Sequence, residues 1–232
     1  MLFREDDEDD ELFCFRDRAE AGRILAAKLV AYSRQENVIV LGLPRGGVPV
    51  AYEVARVLNI PLDVLVVRKL GTPGQKELAM GAIAPGGVQV LGLSTVKQLC
   101  IPSESIEEVA AAERQQLEHQ ETLYRGTRPP LSVAGKTVIL VDDGIATGSC
   151  ILAAIAALRK QAAARVVVAV PVAPAIARSA IGTEADEIIC LAEPEIFFAV
   201  SHWYEDFSQI SDDQVRSLLE RSMRSSSIPV AA

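Results

Sequence analysis

Only two histidines, His119 and His202, occur in the 232 residues, and the four cysteines, Cys14, Cys100, Cys150 and Cys190, form no C-x-x-C pair. That scarcity argues against a structural zinc site, and Cys150 and Cys190, in apolar surroundings, read as small core residues rather than nucleophiles. No apolar run approaches the roughly 18 residues of a membrane span, and the N-terminus carries charges where a leader would need an apolar segment. The expectation is a soluble, cytoplasmic protein with no membrane partner. Positive charge is also short, 23 Lys and Arg against 31 acids, so nucleic acid is a poor ligand on electrostatic grounds.

The net charge of −8 is concentrated. Glu5–Glu11 are seven consecutive acids, and without them the chain carries −1. Residues 1–13 therefore read as a solvated, disordered acidic tail, residues 14–222 as one domain and residues 223–232 as a second tail. Half of the chain is hydrophobic, ample for one core.

Apolar spacing predicts a helix over 16–32 with Asp17 at its N-cap, a strand over 38–41, a helix over 48–58 and a strand over 62–67. A hairpin is expected from 78–84 and 87–91 around Pro85-Gly86. A long helix over 103–124 opens at Ser103 with acids in its first turns. Then come strand 137–141, helix 148–160, strand 165–170, helix 175–181 and strand 187–190, with a last helix over 212–223. Such βα repetition predicts an α/β fold, a mainly parallel sheet flanked by helices, with the ligand crevice at the carboxyl ends of its strands.

At one of those ends stands Val141-Asp142-Asp143-Gly144-Ile145-Ala146-Thr147-Gly148-Ser149-Cys150. Small residues let backbone N–H groups converge on an anion, the helix start adds its positive dipole end, and Thr147 and Ser149 add hydroxyls. Two carboxylates suit neighbouring sugar hydroxyls or a hydrated Mg²⁺, and would repel a phosphate placed directly on them. The ligand should carry a diol and a separate phosphate. A second anion-binding turn, Gly42-Leu43-Pro44-Arg45-Gly46-Gly47, follows the first strand.

The acid pair and its Thr-Gly loop resemble the phosphoribosyl-pyrophosphate (PRPP) motif of the type I phosphoribosyltransferases. The resemblance implies that family's core with a small hood, and Mg²⁺ as cofactor. By it, Asp142 and Asp143 hold the ribose hydroxyls and the metal, and Gly144, Ala146, Thr147, Gly148, Ser149 and Cys150 contribute to the PRPP site. Arg45, Gly46 and Gly47 match the pyrophosphate loop, which in the family often contains a cis peptide. Arg68 and Lys69, at the end of the second strand, resemble an Arg-Lys step of adenine phosphoribosyltransferases and would reach the pyrophosphate, with Thr72–Glu77 as part of a mobile loop. Arg68, Lys69 and Asp143 are the implied catalytic set.

The aromatic cluster from Phe197 to Phe207 is compatible with a base pocket using Phe197 and Phe198, with packing of the last helix, or with a dimer contact. Ala146 stands where hypoxanthine-guanine enzymes carry an aspartate near purine N7, which disfavours a 6-oxopurine. The implied activity is transfer of ribose 5-phosphate from PRPP to a nitrogen of an unidentified base with release of pyrophosphate. The alternative is a regulatory PRPP- or nucleotide-binding protein of the same fold. Homodimers are common in the family.

Overall fold

The computed structural model describes residues 14–226. The acidic run Glu5–Glu11 and the last six residues lie outside the described residues, and with them most of the two expected tails.

In chain order the elements are α1 (Arg18–Lys28), β1 (Val38–Gly42), α2 (Gly47–Leu58), β2 (Leu62–Val64), β3 (Arg68–Thr72), β4 (Gln75–Ala84), β5 (Val88–Leu91) and α3 (Leu93–Gln98). There follow α4 (Ser103–Arg125), β6 (Thr137–Val141), α5 (Ser149–Lys160), β7 (Arg165–Val172), α6 (Ala175–Gly182), β8 (Glu187–Ala192) and α7 (Asp212–Ser226). Five strands form a parallel sheet in the order β2-β1-β6-β7-β8, and β3-β4-β5 form a separate antiparallel sheet.

Alternation along the parallel strands divides the core in two. Val38, Val40, Ile139, Val141, Val167 and Ala169 face α2 and α7, whereas Ile39, Leu41, Val138, Leu140, Val166 and Val168 face α5 and α6. Both faces being covered explains why these strands read as continuous apolar runs. The antiparallel sheet rests on α5 through alanines, Ala82 and Ala84 against Ala153 and Ala157, whose small side chains permit a close approach.

Several expectations need correction. The strand expected over 62–67 ends at Val64; Leu65 joins the core on one face of the sheet and Val66 the core on the other, so an unbroken apolar run hides the point where the chain leaves the sheet. Arg68 and Lys69 consequently open β3 of the second sheet instead of closing β2. Thr72–Glu77 forms a hairpin tip: Thr72 pairs with Gln75, and Thr72 Oγ1 donates to the Gln75 carbonyl at 2.9 Å. α4 opens at Ser103 as expected, with Pro102 at its N-cap and the Ser103 hydroxyl bonded to Glu104. The last helix runs three residues beyond Met223, into the region expected to be a tail. Asp17 caps α1 as expected, accepting from the Glu20 amide at 2.7 Å.

Candidate active site

The two loops singled out in the sequence meet at the carboxyl edge of the parallel sheet, because β1 and β6 are neighbours in register, Gly42 beside Val141. The Leu43 amide donates to the Val141 carbonyl at 2.9 Å, tying the first loop to the base of the second. The peptide Pro44–Arg45 is cis.

Contact between the loops is close enough to require glycine. A Cβ on Gly46 would lie 1.9 Å from Asp143 Oδ2, and one on Gly47 would lie 2.8 Å from Asp142 Cα and 2.9 Å from Asp142 Oδ1. The glycines thus let the acid pair sit against the loop that carries the half-buried Arg45.

Beyond the acids the chain turns into α5. Gly148 takes a left-handed conformation with φ 79°, no side chain caps the helix, and Thr147 Oγ1 lies 3.4 Å from Ser149 Oγ. Ala146 and Thr147 are exposed. The first-turn amides are therefore available to an anion, with two hydroxyls beside them.

Asp142 Oδ1 accepts from the Asp143 amide at 2.9 Å. Burial pushes the Asp142 carboxyl well above the usual carboxylate range, and the neighbouring charge of Asp143 adds to this. Burial also raises Asp143, with Arg18 opposing it.

Arg18, from α1, is the partner that sequence reasoning missed. Its Nε donates to Asp143 Oδ2 at 2.8 Å, its Nη1 donates to the Ser208 carbonyl at 2.9 Å, and its guanidinium lies 3.9 Å over the Phe207 ring. Tyr204 was also missed as a site partner: its hydroxyl donates to the Asp143 carbonyl at 2.6 Å. Nothing in the local sequence around Arg18 distinguishes it from a surface helix charge, while Tyr204 belonged to an aromatic cluster without a settled role.

Arg68 and Lys69 leave β3 on opposite faces, as consecutive strand residues do. Arg68 is directed to α4, where its Nη2 lies 2.6 Å from Glu113 Oε2 and its Nη1 donates to Gln120 Oε1 at 3.3 Å. Burial pushes the Cys150 thiol at the start of α5 up to about 11, with the Asp142 charge adding to the rise and the Lys69 ammonium opposing it. A cavity of about 430 Å³ lies under the β3–β4 hairpin, lined by Arg68, Lys69, Thr72, Lys76 and Glu113.

The aromatic cluster divides. Tyr204 and Phe207 pack with Phe15 near α1, whereas Phe198 is 80% exposed, its ring 6.1 Å from that of His202. Phe197 is half-buried. The segment still touches the loop, since Val200 would lie 2.5 Å from a Cβ placed on Gly144. Among the described residues, no cluster of three or more His, Cys, Asp or Glu is placed to hold a metal by itself. No described helix is long and apolar enough to cross a membrane.

An acid pair and an uncapped phosphate-type turn at the carboxyl edge of a parallel sheet, joined to a glycine loop from the neighbouring strand, define a class of protein. The phosphoribosyl transferase domain family matches residues 10–206, and the chain belongs to that family. It is 45% identical over 210 residues to a Mycobacterium tuberculosis protein provisionally named a phosphoribosyl transferase, found in two strains. That match covers 90% of this chain and 47% of the relative, so the chain spans about half the length of the curated relatives it matches. The crystal structure of the protein TT1426 from Thermus thermophilus is 42% identical with a TM-score of 0.76, covering 90% of this chain and 99% of that one.

Proposed function

We propose that the protein transfers the 5-phosphoribosyl group of PRPP to a nitrogen of a base, releasing pyrophosphate. The observation that carries this reading is the contact between the Asp142–Asp143 pair and the Gly46–Gly47 loop, beside the uncapped start of α5. Diol, pyrophosphate and 5′-phosphate groups then each have a complementary neighbour. In the reaction the bond from C1 to the pyrophosphate oxygen breaks, the bond from the base nitrogen to C1 forms, and the nitrogen loses a proton to solvent or base.

Asp142 and Asp143 hold the diol. The amides of Ala146–Cys150 and the hydroxyls of Thr147 and Ser149 hold the 5′-phosphate, with the Lys69 charge acting at Cys150 of the same loop. Arg45 and the Gly46–Gly47 turn face the leaving group, and negative charge developing there is the main quantity to stabilise. Arg68 would join them on leaving Glu113. Phe197 and Phe198 remain the proposed base contacts.

Two adjacent carboxylates without further acidic ligands fit a largely hydrated Mg²⁺ shared with a diphosphate, not a dedicated protein cage. Asp142 and Asp143 would hold it, and when bound it would supply charge neutralisation for the leaving pyrophosphate. Binding of PRPP without turnover is the second reading, favoured by the engagement of Arg68 with Glu113 and Gln120. A screen of nucleobases for pyrophosphate release from Mg²⁺-PRPP decides between them: release with one base supports transfer, and saturable PRPP binding with no release for any base supports the second reading.

A further inference from the structure

We propose that the segment leading into α1 and the segment 203–208 before α7 form a clasp that orients the Asp143 carboxylate, with Arg18 and Tyr204 as positioning residues of the sugar site. The proposal rests on the reading of Asp143 as a diol contact.

The clasp is a backbone ladder between segments almost 190 residues apart. The Phe15 amide donates to the Trp203 carbonyl at 2.9 Å, the Glu205 amide to the Phe15 carbonyl at 2.8 Å and the Asp206 amide to the Arg16 carbonyl at 2.9 Å. Phe15 is fully buried, its ring 5.5 Å from that of Tyr204, which lies 5.2 Å from Phe207. Two side chains from this unit then converge on one residue: Arg18 binds the Asp143 carboxylate and Tyr204 binds its carbonyl.

The guanidinium of Arg18 cannot follow Asp143 if the carboxylate turns. It is only 8% exposed, its Nη1 is committed to Ser208, and its face is committed to Phe207. Gly46 closes the other side of Oδ2. One carboxylate oxygen is therefore fixed between Arg18 and Gly46, and this sets the direction in which the other, Oδ1, is presented beside Asp142. Orientation of this kind, supplied by a neighbour that never touches the ligand, is how supporting residues set the precision of a site. It also makes the sugar site depend on docking of the segment leading into α1 against residues 203–208.

The test uses the full chain and three variants, Arg18→Met, Arg18→Lys and Tyr204→Phe, titrated with ribose 5-phosphate and with 2-deoxyribose 5-phosphate. The wild type is expected to prefer the ribose ligand. That preference should fall about tenfold in Arg18→Met, less in Arg18→Lys, and a few-fold in Tyr204→Phe, which keeps the ring packing and so guards against misfolding. An unchanged preference in the folded variants overturns the proposal. If the wild type binds neither sugar phosphate, the transferase reading fails on its own, and a crystal structure of Arg18→Met still decides the clasp: a rotated Asp143 carboxylate supports it, and an unmoved one overturns it.

Discussion

Two pairs of adjacent acids stand at opposite edges of the same parallel sheet. At the carboxyl edge, Asp142 and Asp143 are raised above the ordinary carboxylate range by burial, with Arg18 opposing the shift at Asp143. At the amino edge, burial also works against Asp186, but the Val166 amide at 2.6 Å and Arg159 at 2.8 Å outweigh it, and its pKa is lowered. Glu187 is lowered by the Tyr32 hydroxyl at 2.6 Å and by Arg165 at 2.7 Å. One pair is matched to its surroundings and serves the fold; the other is held at a cost, as groups arranged for a ligand often are.

The sharpest way to break this contrast is at the contact between the loops. Gly46→Ala would drive a methyl group onto Asp143 Oδ2, which Arg18 prevents from moving away freely. PRPP affinity should fall about 100-fold, with a stability loss of about 1–2 kcal/mol, measured by calorimetry and denaturant unfolding. Unchanged affinity would mean that the loops do not form one site.

The two edges should next respond with opposite signs. Asp142 ionises at higher pH in the folded protein than in the unfolded chain, so the stability linked to its protonated form is complete below the unfolded pKa and is lost as pH rises through the folded one. Asp142→Asn should therefore raise stability at neutral pH by about 1 kcal/mol while weakening PRPP about tenfold or more. Asp186→Asn, at a partly exposed site, should lower stability by less than about 1 kcal/mol and leave PRPP affinity alone. Two losses of stability would remove the distinction between the edges.

Within the antiparallel sheet the same comparison separates Lys69 from Arg68. Lys69→Ala should weaken PRPP about three- to tenfold through the phosphate loop. Glu113→Gln, which loosens the hold on Arg68, should change PRPP affinity less than about threefold. If the order is reversed, Arg68 rather than Lys69 is the cation that meets the bound ligand.

The smallest effect is in acid. Glu187 has a folded pKa below its ordinary 4.5, so its contribution to stability is present above that value and is lost as pH falls through the lowered one. Glu187→Gln should flatten this part of the acid unfolding curve. An identical acid limb in wild type and variant would show that the Tyr32 and Arg165 contacts do not persist in solution.

Both acid pairs are visible in the sequence, but only the residues after them tell the edges apart. Asp142-Asp143 precedes a Gly-Thr-Gly turn and a helix, whereas Asp186-Glu187 opens a strand, and local pattern carries that difference. The alternation of strands and helices from Thr137 to Ala192 was legible for the same reason. The departure of the chain at Val64 was not, because both cores accept apolar residues and periodicity does not say which sheet owns them. Arg18 was illegible for a different reason: its role depends on a partner 125 residues away, and its own neighbourhood reads as an ordinary charged helix.

Calorimetric titration of Mg²⁺-PRPP into the wild type and into Asp143→Asn tests the central claim most directly, with unfolding curves showing that both are folded. Saturable binding by the wild type that is weakened about tenfold or more in the variant is the result expected from a diol contact. No binding by the wild type, or equal affinity in the two proteins, would contradict the assignment of the Asp142–Asp143 edge as the sugar site.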